Sequence, residues 1–107
     1  MEQDIKKVQE WLDNLVSMAW QMRQISYTSC EVENTSISTI SMFSQGSACK
    51  FSIHIYNGLQ KIAELLGLDV TEEIINYKDG RSATQYSVEY TGCTLFQLGT
   101  DKKEDDE

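Results

Sequence analysis

The feature that most constrains the fold of this chain is an N-terminal segment with helical spacing. Its apolar residues recur at alternating steps of three and four: Ile5, Val8, Leu12, Leu15, Ala19 and Met22. This spacing predicts an amphipathic helix over Ile5–Ile25, about 30 Å long. Trp11, Met18 and Ile25 flank the same stripe. Val16 and Trp20 lie off it and widen the apolar face, so the helix needs cover on more than one side.

The sequence that follows carries strand patterns. The segment "SYTSCEVENTSISTISMF" is rich in Ser, Thr and Ile. It predicts a strand near Tyr27–Glu33, a turn around Asn34 and a second strand near Ser36–Phe43, and "SQGS" predicts a turn after it. Alternation then predicts a strand over Cys49–Tyr56. On that strand one face carries Cys49, Phe51, Ile53 and Ile55, and the other carries Lys50, Ser52, His54 and Tyr56.

A short helix is predicted over Gly58–Leu66, directly after this strand. Asn57 is the predicted N-cap, and Gly67 stands where a helix end favours a left-handed residue. The apolar stripe of the helix consists of Leu59, Ile62, Ala63 and Leu66.

Strand patterns return after Thr71. Asp79-Gly80 predicts a β-hairpin, Thr91-Gly92 predicts a second tight turn, and Cys93–Leu98 is the last predicted strand. This order of elements predicts an α+β fold, with an antiparallel sheet of five to six strands. The long N-terminal helix and the short helix are expected to pack on one face of that sheet.

One domain is expected at residues 1–98, followed by an acidic, disordered tail at residues 99–107. Three widely spaced cysteines without a CxxC motif indicate buried reduced thiols. The N-terminus "MEQDIKKVQEW" lacks the apolar core of a signal peptide, and no apolar run is long enough to span a bilayer. We therefore expect a cytoplasmic protein.

The net charge of the chain restricts the kinds of molecule that it can bind. The formal net charge is −8, which argues against direct binding of nucleic acid or of an anionic membrane. A basic or nucleic-acid-binding protein would instead be attracted. The simplest alternative is that the charge only keeps the chain soluble.

His54, the only histidine, is the one candidate for acid–base chemistry at neutral pH. Cys49 would lie on the opposite strand face, and Ser52 is too distant along the strand for a tight catalytic pair. Glu72-Glu73 would point in opposite directions in an extended chain, and one histidine does not complete a usual zinc site. We expect His54 to be an outward strand residue beside Tyr56, with no enzymatic activity, no cofactor and no metal site.

A resemblance to other proteins rests on two segments, "IHIYNGLQKIAELLGLDVTEE" and "YSVEYTGCTLFQL". Over about residues 51–98 the chain resembles small uncharacterised proteins of phages and mobile elements of Firmicutes. The resemblance implies a mobile-element origin and transfers no functional residue. Phages use small acidic proteins to block host machinery, as anti-CRISPR and other anti-defence proteins do, some by mimicking nucleic acid. The resemblance therefore implies an inhibitor.

Together these observations predict a non-enzymatic protein that binds and inhibits a host protein. The acidic side chains expected to oppose a basic groove are Glu31, Glu33, Glu72, Glu73 and Asp79. One alternative is sequestration of a small ligand such as a nucleotide signal, with Arg81 and Lys78 meeting a phosphate. Another is a structural or assembly component of a virion.

Self-association is a separate expectation. The apolar arc of the N-terminal helix exceeds what one side of a small sheet covers, and an exposed tryptophan would form an apolar patch. We therefore expect a homodimer with Trp11, Val16 and Trp20 at or near a two-fold interface. The alternative is a helix that lies across its own sheet alone.

Overall fold

The computed structural model describes residues 2–22, 25–45 and 50–99. These residues form two helices, α1 (Glu2–Gln21) and α2 (Leu59–Leu66). They also form six strands: β1 (Thr28–Val32), β2 (Thr35–Gln45), β3 (Lys50–Asn57), β4 (Thr71–Asn76), β5 (Ser82–Tyr90) and β6 (Cys93–Gly99). Helix α2 lies between β3 and β4 in the chain. The predicted α+β class is confirmed.

The six strands form one sheet in the order β1-β2-β3-β6-β5-β4. The pairs β1–β2, β2–β3, β4–β5 and β5–β6 are antiparallel, as predicted. The central pair differs, because β3 and β6 run parallel, with Phe51 opposite Cys93 and His54 opposite Phe96. The sheet is therefore mixed: it is mostly antiparallel, as predicted, and parallel only at its centre. Parallel neighbours need a crossover connection, and here α2 and the β4–β5 hairpin supply it.

Both helices pack on the same face of the sheet. Helix α1 buries Val8, Leu12, Leu15, Val16 and Ala19, and α2 buries Leu59, Ile62, Ala63 and Leu65. These side chains form one apolar cluster with inward strand residues such as Ile37, Ile53 and Leu95. On α2, Leu65 is more buried than Leu66, the residue that spacing predicted.

The ends of the helices differ from the prediction at two points. Helix α1 spans Glu2–Gln21 instead of Ile5–Ile25. Ile25 is not helical; it pairs with Met42 beside the sheet and is buried there. Asn57 is the last residue of β3 and does not cap α2. Gly58 occupies the N-cap without a side-chain cap, and the Leu59 N–H donates instead to Gln97 Oε1 at 3.0 Å.

The predicted turns are confirmed where the structure describes them. Glu33 and Asn34 have φ values of 46° and 61°, and Thr91 and Gly92 have 44° and 85°. These values suit two-residue hairpin turns. Gly80 lies in the loop between β4 and β5, and Gly67 ends α2 in the left-handed conformation with φ 67°.

Two predictions fall partly outside the described residues. In the predicted turn at 44–47, Ser44 and Gln45 still belong to β2, and the description stops there until Lys50. Cys49 is therefore not described. The expected tail is also outside, except for Gly99 at the end of β6. Neither α1 nor α2 combines the length and apolarity that crossing a membrane requires.

Candidate binding face

The sheet has a second face, opposite the helices, which we call the uncovered face. Directly opposite residues on neighbouring strands share a face, so the register assigns side chains to it. No helix or strand of the described residues packs there. Its central part consists of Ser41 and Phe43 on β2, Ser52 and His54 on β3, Thr94 and Phe96 on β6, and Ser87 and Glu89 on β5.

Three rings form an aromatic cluster at the centre of the uncovered face. The His54 and Phe96 rings are stacked, with centroids 4.8 Å apart and planes 7° from parallel. Phe43 meets Phe96 edge to face at 6.1 Å. Ser52 lies opposite Phe43 and beside His54, and it is only 8% exposed.

Irregular pairing between β2 and β3 adjoins this cluster. The register shifts on both sides of Thr39, so Tyr56 on β3 and Ile40 on β2 have no directly opposite residue. Thr39 is fully buried and donates its Oγ1 hydrogen to the His54 carbonyl oxygen at 2.6 Å. This bond joins the two strands where the ladder is interrupted.

His54 lies on the outward face, as predicted, but its neighbour there is Phe96. Burial lowers the pKa of the imidazole below its usual 6.5, so the ring is neutral at pH 7. Among the described residues, no side chain makes a hydrogen bond to its ring nitrogens. A base in a nucleophile–base–orienter triad needs such a contact.

The predicted partner-binding acids do not form one group. Glu31 and Glu33 belong to the β1 edge, whereas Glu72, Glu73 and Asp79 belong to the β4 edge. Five strand spacings separate the two edges, roughly 24 Å. A single narrow groove cannot contact both groups at once.

Two of these acids are already paired. Glu33 accepts a hydrogen bond from Lys61 Nζ at 2.6 Å, and the Glu33 bond raises the pKa of Lys61. Asp79 accepts from the Nε of Arg81 at 2.8 Å and from its backbone N–H at 3.0 Å. The acids on the uncovered face are Glu31, Glu73 and, not predicted from the sequence, Glu89.

The three residues expected at a dimer interface have different environments. Val16 is buried in the core of its own chain. Trp11 is half-buried and donates its indole N–H to Thr28 Oγ1 at 3.0 Å. Trp20 is 55% exposed, with its ring edge-on to Phe51 at 4.2 Å.

The remaining reactive groups are dispersed. Cys30 and Cys93 are buried free thiols, and desolvation raises the pKa of each. Within the described ranges, no three His, Cys, Asp or Glu side chains are grouped closely enough to hold a metal ion. A shallow cleft beside the β4–β5 loop contains Arg81, the residue considered for phosphate binding.

Sequence reasoning missed Phe43 and Phe96 as site residues. A signal was present, because Phe96 alternates with the core residues Cys93 and Leu95 and so belongs on the outer face. Its pairing with β3 was not readable from that alternation. Comparison of the chain with models of protein families, with curated proteins and with solved structures finds no match.

Proposed function

We propose that this protein is a non-enzymatic binding protein that occupies and inhibits a basic protein through the uncovered face of its sheet. The observation that carries the proposal is the net negative charge of that face as a whole, with the aromatic cluster at its centre. The strands place three carboxylates on it, Glu31, Glu73 and Glu89, and one ammonium group, Lys50. Aromatic side chains ringed by complementary charge are typical of protein interfaces.

The net charge of −8 supports the same proposal. It attracts a basic surface over a distance of about one Debye length, roughly 8–10 Å in physiological salt. The mobile-element origin implied by the resemblance makes a cytoplasmic host protein the expected partner, with inhibition of host defence as the expected role. Mimicry of nucleic acid is one route, since a basic partner surface can itself be a DNA- or RNA-binding site.

Sequestration of a nucleotide has less support. It needs convergent cationic groups, and the Arg81 guanidinium already pairs with the Asp79 carboxylate through its Nε at 2.8 Å.

Capture from a bacterial host lysate tests the proposal. The wild-type protein should enrich one basic or nucleic-acid-binding protein, and capture should weaken as salt rises. The combined variant Glu31→Gln, Glu73→Gln and Glu89→Gln should lose most of this capture.

The matched control removes the same charge elsewhere. Glu10, Glu64 and Glu72 are exposed and lie on the helices or on the helix side of β4. Their replacement by Gln should leave most of the capture intact. Equal loss in both variants would show that net charge alone is responsible, and recovery of only abundant background proteins at low salt would refute the proposal.

A further inference from the structure

We propose that the uncovered face receives an arginine side chain of the basic partner over Ser87, between the Phe96 ring and a cleft at the start of β4. This inference rests on the proposed function and specifies its recognition chemistry. The cleft is lined by Leu68, Asp69, Thr71, Ser87, Val88 and Glu89. It lies at the edge of the sheet, because Val88 belongs to the core on the helix side whereas Ser87 and Glu89 belong to the uncovered face. Phe96 is not one of the lining residues, but it lies directly opposite Ser87 on β6 and therefore on the same face of the sheet.

The first argument is the orientation of the Phe96 ring. Its centroid lies 4.8 Å from that of His54 on the adjacent strand, which matches the spacing between strands. The two rings therefore stand side by side, with one face of Phe96 turned toward β3. The other face is turned toward β5, where the opposite residue is the small Ser87. The Ser87 side chain is too small to cover that ring face by itself, so we infer that a planar group stacks there.

The second argument is charge. Two carboxylates flank Ser87 on the same face: Glu89 is two residues along β5, and Glu73 is the diagonal neighbour on β4. Both positions are about 7 Å from Ser87, within reach of a long side chain. Glu89 also accepts a hydrogen bond from Thr94 Oγ1 at 2.8 Å, which orients its carboxylate beside the cleft.

These features select arginine among possible occupants. A guanidinium is planar and cationic, stacks on aromatic rings and pairs with carboxylates through several N–H groups. A lysine ammonium pairs with carboxylates but has no plane to stack. A nucleobase stacks equally well, but its phosphate would approach Glu73 and Glu89 and be repelled.

Titration with capped synthetic peptides tests the inference. One probe alternates Arg with Gly, and the second has Lys in place of every Arg. The Arg peptide should bind the wild-type protein about fivefold more tightly than the Lys peptide does. Binding of the Arg peptide should also shift the amide resonances of Ser87 and Glu89 in NMR spectra. The variant Phe96→Leu, which keeps apolar volume without a ring face, should lose the preference for Arg over Lys.

Two further variants locate the site. Ser87→Leu, a surface change that fills the cleft, should weaken binding of the Arg peptide. Phe43→Leu, on the other side of the cluster, should keep the preference, and circular dichroism reports whether each variant is folded. Loss of the preference in Phe43→Leu to the same degree as in Phe96→Leu would overturn the inference, as would equal binding of both peptides to the wild type.

The outcomes separate this inference from the proposed function. If Phe96→Leu still captures the basic host protein at wild-type levels, the arginine site is wrong and the proposed function stands. If a short single-stranded oligonucleotide binds at Ser87 and Phe96 more tightly than the Arg peptide, the arginine site is also wrong. If no basic protein is captured by the wild type, the proposed function itself fails.

Discussion

At the scale of the residue, Gly58 determines how closely the start of α2 approaches β2. Its φ is 97°, in the left-handed region, and a Cβ placed there would lie 2.9 Å from Ile37 Cγ1 and 3.1 Å from its Cα. Both atoms belong to a fully buried residue, which cannot move aside without disturbing the core. Glycine is therefore required here both by the backbone angle and by the space.

We predict that Gly58→Ala lowers the free energy of unfolding by about 3 kcal/mol, from left-handed strain together with overpacking. Urea denaturation measures this loss. Gly80→Ala is the matched control, because φ at Gly80 is 92° but its Cβ would meet open space. Gly80→Ala should lower the free energy of unfolding by about 1 kcal/mol, from backbone strain alone. Equal losses in the two variants would show that contact with Ile37 contributes nothing.

At the scale of the element, Tyr90 ties α1 to β5. Its hydroxyl donates to the Asp13 carboxylate and lies 3.3 Å from the Gln9 carbonyl oxygen. Desolvation, then the hydrogen bond to Asp13, raises the pKa of Tyr90 above its ordinary 10.0. The folded state therefore holds this proton more tightly than the unfolded state does.

We predict that Tyr90→Phe lowers the free energy of unfolding by about 1 kcal/mol at pH 7. Above about pH 10 the unfolded wild type loses the Tyr90 proton while the folded state retains it, so wild-type stability falls. The difference in the free energy of unfolding between the wild type and Tyr90→Phe should therefore shrink as the pH rises above about 10. Urea denaturation at neutral and alkaline pH measures it. Tyr56→Phe, at an exposed tyrosine, is the control. A stability difference between the wild type and Tyr90→Phe that stays constant from neutral to alkaline pH would contradict the prediction.

At the scale of the whole molecule, the arrangement of the apolar surface bears on self-association. The chain covers Val16 itself, and Trp11 is partly buried and hydrogen-bonded to β1. Trp20 remains more than half exposed at the C-terminal end of α1. If the protein is a homodimer through α1, the exposed Trp20 indole is the part of that helix that supplies apolar contact area.

We predict that Trp20→Glu shifts sedimentation toward the monomer, because it places a charge in the apolar contact. Lys50→Glu, on the uncovered face of β3, should leave the sedimentation coefficient unchanged. Circular dichroism distinguishes dissociation from unfolding, since Trp20 also touches Phe51. A wild-type protein that sediments as a monomer at high micromolar concentration would refute the homodimer.

Most of the elements and their turns were predictable because their signals are local. Helix α2 follows from apolar spacing within eight residues and ends at a glycine in the required conformation. The turns at Asn34 and at Thr91-Gly92 follow from residues that tolerate positive φ. Alternation also placed His54 on the face away from Ile53 and Ile55. Such preferences depend on neighbours in sequence, so they are readable without the fold.

The tertiary structure alone decided that β3 lies beside β6, and with that pairing the candidate site. Periodicity assigns a residue to a face but says nothing about which strand lies beside it, because pairing depends on the packing of the whole core. The parallel contact of β3 with β6 stacks His54 on Phe96. The β5–β6 and β4–β5 registers place Ser87 beside that ring, between Glu73 and Glu89. The same strand order separates Glu31 from Glu72, acids that composition alone grouped together.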